Sequence, residues 1–376
     1  MPFSYCTHGK GPITERCIRV FNMHYGNTEG HCAQSKITSA LRQDANCNEY
    51  LAPFAILQDG GHVSMSWDDK GLIFKVNNMA PWAKSHCYVP TALALEDRIR
   101  VYAAFWDHDM HGRLGYVDVD IKNPTKILGY AENPIIADSR EGRFDCDGVT
   151  PLSVVVYGEE IRLYYAGWQR FAQADKRYTL FTGLLLSDLK GENFKRWSPQ
   201  PVIGPRHEGE HLRTGGYTSY INNRWQTWYA CHEKTIMLDG KGIPAYAQKT
   251  MESLDGFSWD QEDHIVFPVE DNKLLGYGRP AIWFHDTFKY RGLFSERNWD
   301  GSYTKIKYGT SSDGYEWAFQ PDSAMNFSGS NTCDSQNSVC FPSLIFQEDR
   351  TLMFYNGDDF GREGLRLAIW NENSPA

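Results

Sequence analysis

Acidic side chains recur at matching places in this sequence, each just before or just after a short run of β-branched and aromatic residues. Asp145 and Asp147 stand in RFDCDGVTPLSVV ahead of one run, and Glu208 and Glu210 stand in HEGEHLRTGGY ahead of the next. Asp107, Glu233, Glu296 and Asp358 follow runs of the same kind. Among them lie cations and rings suited to a polar ligand: His86, Trp168, Arg213, His232, Tyr277 and Arg279. Two carboxyl groups on either side of a bound molecule support acid–base chemistry, one donating a proton while the other serves as base or nucleophile. Glycosyl transfer generally needs such a pair. Acids crowded together raise one pKa by like-charge repulsion and leave another low, which prepares the two roles. Asp147 is the first choice for the pair, although an Asp before a Gly also serves turns. Glu210 is the second, with Glu208 as its rival. Glu296 is a third candidate, with Arg291 or Arg297 as alternative ion-pair partners. Arg279 suits a substrate carboxylate or phosphate, or an acid to be held in place.

The elements that must position these groups form a repeat of about sixty residues. Its copies read YVPTALALEDRIRVYAAFWD from Tyr88, GVTPLSVVVYGEEIRLYYAGW from Gly148, LRTGGYTSYINNRWQTWYACHE from Leu212, YGRPAIWFHDTFKYRGLFSER from Tyr277 and CFPSLIFQEDRTLMFYNGDD from Cys340. Pro90, Pro151, Pro280 and Pro342 align, and Gly215–Gly216 takes the place of proline in the third copy. SLDGFSW and SSDGYEW share a Ser-x-Asp-Gly-x-x-Trp string, and LLLSDLKGENFKRW is a degenerate third copy. Asp-Gly is tight-turn chemistry because Gly accepts positive φ. Short apolar runs separated by turns, without helical period, read as strands. Four strands per unit and five units predict an all-β, five-bladed β-propeller spanning residues 1–376 as a single domain. Residues 1–50 form an N-terminal extension, and either CIRVFNM or the hairpin AILQDGGHVSMSW is expected to close the ring.

In a propeller the innermost strand of each blade begins at the face where the second strand ends. Residues before the first run and after the second therefore converge on one funnel, and the acids, His and Arg named above fall in those two sets. Loops on a rigid scaffold are where function concentrates.

Composition narrows the partners. The 376-residue chain carries 38 Lys and Arg against 47 Asp and Glu, a net charge of −9, with no stretch dominated by cations. A nucleic-acid partner needs a basic face, so none is expected. No apolar run reaches the length of a membrane span. The N-terminus lacks a signal-like apolar run, and the nine Cys include no C-x-x-C pair, so a cytoplasmic chain with reduced thiols is expected. Cys333–Cys340 pairing is a disfavoured alternative. Neither His232–Glu233 nor the set His86, His108 and His111 has diagnostic ligand spacing, so no metal and no cofactor is expected. Aromatics make up 14% of the chain, which suits strands and also the stacking of sugar rings.

The proline-led strands and the Ser-x-Asp-Gly-x-x-Trp strings resemble the five-bladed propeller glycosidases of glycoside hydrolase families 43, 32 and 130, over roughly residues 50 to 370. The resemblance implies an Asp in the first blade, an Asp in the second and a Glu in the third. DGVTPLSVV matches the second element and points to Asp147; GEHLRTGGY is similar to the third and points to Glu210. SHCYVP offers no Asp for the first, only His86, Cys87 and Tyr88. What the resemblance implies is a carbohydrate-active enzyme that cleaves or transfers a glycosyl unit from a small-molecule substrate. A phosphorylase, a transferase acting on a sugar phosphate or nucleotide sugar, and a sugar-binding propeller without turnover remain as alternatives.

Overall fold

A computed structural model describes residues 65–371 except 139–140, 172–177, 239, 260–261, 271–273, 286–288, 322–324 and 329–337. All of these belong to one compact unit. Strand β1 (Met65–Lys75) precedes the first blade, which holds β2 (Ser85–Ala94), β3 (Arg98–Trp106), β4 (Gly112–Asp120) and β5 (Ile127–Tyr130). The second holds β6 (Gly148–Tyr157), β7 (Glu160–Arg170), β8 (Tyr178–Ser187) and β9 (Lys195–Arg196). The third holds β10 (Leu212–Ile221), β11 (Arg224–Leu238), β12 (Lys241–Ser253) and β13 (His264–Phe267). The fourth holds β14 (Leu274–His285), β15 (Lys289–Asn298), β16 (Tyr303–Ser311) and β17 (Trp317–Phe319). Then β18 (Met325–Ser328) precedes the last repeat, β19 (Cys340–Phe346), β20 (Arg350–Asn356) and β21 (Gly364–Asn371). Each blade is an antiparallel meander, and the five first strands are those of the sequence repeat.

The ring closes through β1, which completes the fifth blade by pairing antiparallel with β21, with β18 parallel along its other edge. Closure therefore comes from residues 65–75, after CIRVFNM and beyond all but the last three residues of AILQDGGHVSMSW. Residues 1–64 lie outside the described residues, so the extension over 1–50 has no structural account.

Five apolar clusters fill the wedges between blades. Tyr102, Leu163 and Phe194 pack between the first and second. Tyr164, Trp225 and Trp259 pack between the second and third, and Trp228, Tyr290 and Phe294 between the third and fourth. Second strands are buried on both sides, which is why RIRVYAAFW reads as a nearly continuous apolar run.

The Ser-x-Asp-Gly-x-x-Trp string is a turn with a latch. In the third blade Ser253 Oγ accepts from Gly256 N at 3.0 Å, Asp255 Oδ1 accepts from Phe257 N and Ser258 N at 2.8 Å, and Trp259 Nε1 donates to Gly256 O at 3.1 Å. The fourth blade repeats this with Ser311, Asp313, Gly314 and Trp317. The same glycine carbonyl accepts a bond from the preceding blade: Tyr164 Oη reaches Gly256 O at 2.8 Å and Trp228 Nε1 reaches Gly314 O at 2.7 Å. Tyr102 Oη reaches Gly191 O at 3.0 Å in the degenerate copy.

Gly364 opens β21 with φ at 150°, and a Cβ there would fall 1.8 Å from the Phe74 carbonyl of the closing strand. Gly364→Ala is expected to cost about 2–5 kcal/mol through clash and backbone strain. Gly240→Ala, at φ 73° with nothing within 4 Å, should cost only about 1–2 kcal/mol. Equal losses of urea midpoint in the two variants would show that closure does not depend on this contact.

Candidate active site

Strand ends from all five blades enclose a cavity of about 250 Å³. Its floor is set by the repeat. Val89, Thr150, Arg279 and Phe341, the residues preceding the four aligned prolines, all line it, and Thr214 with Gly215 take that place in the third blade. Its walls are aromatic: Tyr88, Trp106, Trp168, Tyr178, Tyr246 and Tyr303. Trp168 Nε1 donates to Thr150 Oγ1 at 3.1 Å, which fixes the indole beside Tyr178 with ring centroids 5.4 Å apart. The hydroxyls of Tyr246 and Tyr303 meet at 2.7 Å. Arg279 also borders a smaller space of about 50 Å³, lined by Ser153, Tyr217 and Ser343.

Of the site residues expected from sequence, Trp168 and Arg279 line this cavity. The expected acids are not among its described lining residues. Asp147 sits at the start of β6, three positions before Thr150. Its Oδ2 accepts from the Arg170 amide at 2.7 Å and its Oδ1 lies 3.5 Å from His111 Nε2, with the side chain 24% exposed. Glu210 is buried. Its carboxylate accepts from Arg206 N at 2.6 Å, and the Cys231 thiol lies 3.3 Å away. Burial pushes that thiol up to about 12. Glu210 and Asp147 thus share the funnel face of the ring, but each is engaged by its own blade rather than by a common cavity. Glu296 pairs across the ladder with Tyr277. Its successor Arg297 is the one that lines the cavity, because successive side chains on a strand point to opposite sides.

Most of the remaining candidates have structural partners. Asp145 is buried, accepting from Arg196 Nε at 2.6 Å and Tyr165 Oη at 3.0 Å. Asp107 caps its own loop through the amides of Asp109 and His111 and binds Arg113 Nε at 2.9 Å. Burial raises its pKa, but the His111 amide and Arg113 outweigh this and hold it below the usual value. Arg213 donates to Gly204 O at 2.8 Å and Tyr229 Oη at 2.8 Å and lies 3.4 Å from Asp263. His232 meets Thr235 Oγ1 at 3.1 Å, and burial beside His211 lowers its pKa. Glu233 is exposed, 3.6 Å from Lys249. Glu208 is exposed on the turn before β10. Tyr277 packs on Phe267, Phe294 and Phe319 between blades. Nothing is described for the side chain of Asp358.

Of the cavity's four tyrosines, the repeat argument did not single out Tyr178, Tyr246 and Tyr303. Tyr178 and Tyr303 open third strands, and Tyr246 is the sixth residue of the long β12. A third strand runs in the direction of the first, so its start lies at the same face; that rule would have found Tyr178 and Tyr303. Among the described residues, Asp107, His108 and Asp109 form a group of potential metal donors within 4.8 Å of one another. The Asp107 oxygens already serve amides and Arg113, which argues against a metal centre. Four thiols, Cys87, Cys146, Cys231 and Cys340, are free; Cys333 lies outside the described residues. No helix among the described residues is long and apolar enough to cross a membrane.

The fold is that of the five-bladed propeller glycoside hydrolases and phosphorylases. No protein-family model matches the chain. A thermostable family-43 glycoside hydrolase superposes with a TM-score of 0.56 at 14% identity, covering 79% of this chain and 92% of that one. Zg3597, a family 117 glycoside hydrolase from Zobellia galactanivorans, gives 0.58 at 11% identity over 83% and 92%. A structure from the GH130 family of mannoside phosphorylases and glycoside hydrolases gives 0.56 at 13% over 88% and 97%. In sequence, the chain is 27% identical over 310 residues to the uncharacterized protein Rv1502 of Mycobacterium tuberculosis (strain ATCC 25618 / H37Rv), covering 81% of this chain and 99% of that protein. The uncharacterized protein MT1551 of strain CDC 1551 / Oshkosh matches to the same extent.

His86 supports the Trp106 wall. Its ring stacks on the indole with centroids 3.8 Å apart, and Nδ1 lies 2.8 Å from Ser85 Oγ. Burial pushes its pKa down from 6.5 to about 4. The unfolded chain therefore takes up this proton near pH 6.5 and the folded chain only near pH 4. The associated stability is fully present above the upper value and is lost as pH falls toward the lower. His86→Asn removes the titration and tolerates the residue's positive φ of 63°. Urea midpoints between about pH 7 and pH 4.5 should fall less steeply in the variant; parallel curves would rule out His86 as a source of acid sensitivity.

Proposed function

We propose that this chain is a carbohydrate-active enzyme that seats a glycosyl unit in the aromatic funnel and cleaves or transfers it there. The observation that carries this reading is the cavity itself: indole and phenol walls over a mixed floor that carries Thr150, Thr214 and Arg279, at the shared end of five inner strands. Ring faces offer flat apolar surface to sugar C–H groups, while few convergent polar groups fix orientation. Trp168, held by Thr150, is the main stacking platform. Proton transfer falls to Asp147, the partly exposed carboxylate beside the backbone of Trp168, with His111 as its neighbour. Glu210 is a positioning rather than a catalytic residue, since it is engaged away from the cavity, and Glu296 is set aside because its successor Arg297 is the one that lines the cavity. The four free thiols suit a reducing compartment, and we place the protein in the cytoplasm.

A second reading, a sugar-binding propeller without turnover, is favoured by the absence of any carboxylate among the described lining residues. The two separate cleanly. Sugars, sugar phosphates and nucleotide sugars are screened by thermal shift, and each ligand found is assayed for turnover with and without phosphate. Trp168→Ala should weaken binding by about tenfold or more. Asp147→Asn should keep binding and the melting temperature while lowering kcat at least about a hundredfold. Full activity in Asp147→Asn would remove that residue from the mechanism. Binding without turnover in the wild type would select the second reading.

A further inference from the structure

Several of the buried or half-buried arginines among the described residues are paired with an acid. Arg100 meets Asp118 at 2.8 Å, Arg162 meets Glu160 at 2.8 Å, Arg196 meets Asp145 at 2.6 Å and Arg213 meets Asp263 at 3.4 Å. Arg279 and Arg297, the two that line the funnel, have no carboxylate partner among the described residues. Arg279 is 2% exposed. Its Nη2 donates to the carbonyls of Pro90 at 2.8 Å and Phe341 at 2.7 Å, and its Nε is buried with no hydrogen-bond partner. Arg297 donates from Nη1 to Pro244 O at 3.0 Å, its Nε is also buried without a partner, and its guanidinium carbon lies 5.3 Å from the centroid of the Tyr246 ring. The Tyr246 and Tyr303 hydroxyls, bonded to each other at 2.7 Å, leave one O–H proton at the same wall.

A buried cation without a counter-ion is costly unless something compensates it, and a guanidinium is shaped to bind carboxylate or phosphate in a fork. The chain's net charge is −9, so its overall field repels anions and any attraction must be local. The carboxylate-free described lining is consistent with this, since an acid in the wall would repel an anionic ligand. We propose that the sugar seated in this funnel carries an anionic group of its own, a carboxylate or a phosphate ester, which Arg297 and Arg279 receive at the floor. This rests on the sugar-binding reading of the funnel and adds the ligand's charge class to it.

The test is calorimetric titration of the full chain with glucuronate, glucose 1-phosphate, glucose 6-phosphate, neutral glucose and inorganic phosphate. At least one charged sugar should bind about tenfold or more tightly than glucose, and Arg297→Gln should abolish that preference. Arg297→Lys should retain part of it, and Arg279→Lys, which keeps the buried charge, guards against loss of fold. Whether the uronate or a phosphate ester binds identifies the anion. Equal affinity for charged and neutral sugars would overturn the anionic site and leave the sugar funnel standing. Inorganic phosphate binding without any charged sugar would also overturn it, in favour of a separate phosphate site. Failure of every sugar and of phosphate would remove both proposals.

Discussion

One contact recurs around the ring, and the rest of the molecule depends on it: an aromatic donor on a second strand bonds the glycine carbonyl of the next blade's turn. Tyr102, Tyr164 and Trp228 make it to Gly191, Gly256 and Gly314. The bond is local, but its effect is collective. It fixes how far one blade rotates against the next, and the large rings that make it also fill the wedge between blades. Angles fixed in this way at three interfaces, with apolar packing at the other two, bring five strand ends to one place. The funnel is thus a consequence of packing at the outer edge of each sheet, far along the sheet from the site.

What faces the funnel follows from phase along the strand rather than from residue type near its end. The residue before each proline lands on the floor, whereas acids a few positions away do not reach it. This explains why the acid-rich segments do not fill the cavity. Asp147 stands three positions before Thr150 and so remains on the rim. Glu296 and Arg297 are adjacent in sequence, and only the arginine faces inward. A one-residue difference decides whether a charge is catalytic equipment or a strut.

The fold was legible because repetition multiplies weak signals. One proline or one Asp-Gly turn would have meant little, but four aligned prolines and two complete turn strings at a common period specify blades. The site was less legible for a related reason. A repeat tells which segments reach the mouth, yet not the rotation of each side chain about its strand, and one residue of uncertainty exchanges cavity for wedge. Trp168 and Arg279 were found because each occupies a strongly constrained place, a second-strand end and a pre-proline floor position. Tyr178 and Tyr303 were passed over because only two of the three strand ends that meet at the face were considered, and Tyr246 because it lies inside the long β12. Ring closure was the least accessible feature, since β1 carries no copy of the motif and is defined by its partner β21 alone.

Arg279 joins these two themes. As a floor residue it ties the fourth blade to the first and fifth through the Pro90 and Phe341 carbonyls. An apolar side chain could fill the same space without the desolvation cost that lowers its pKa to about 10. A structural tie alone would therefore be better served by a neutral donor, or by an arginine paired with an acid as at Arg100 and Arg213. What a neutral or paired group cannot do is present a guanidinium without an acid partner to an aromatic cavity. The cost of burying that charge is tolerable because two carbonyls offset part of it in the empty protein, and a ligand able to offset the rest would gain affinity from the same imbalance. Stability withheld at one buried position becomes binding free energy available at the site.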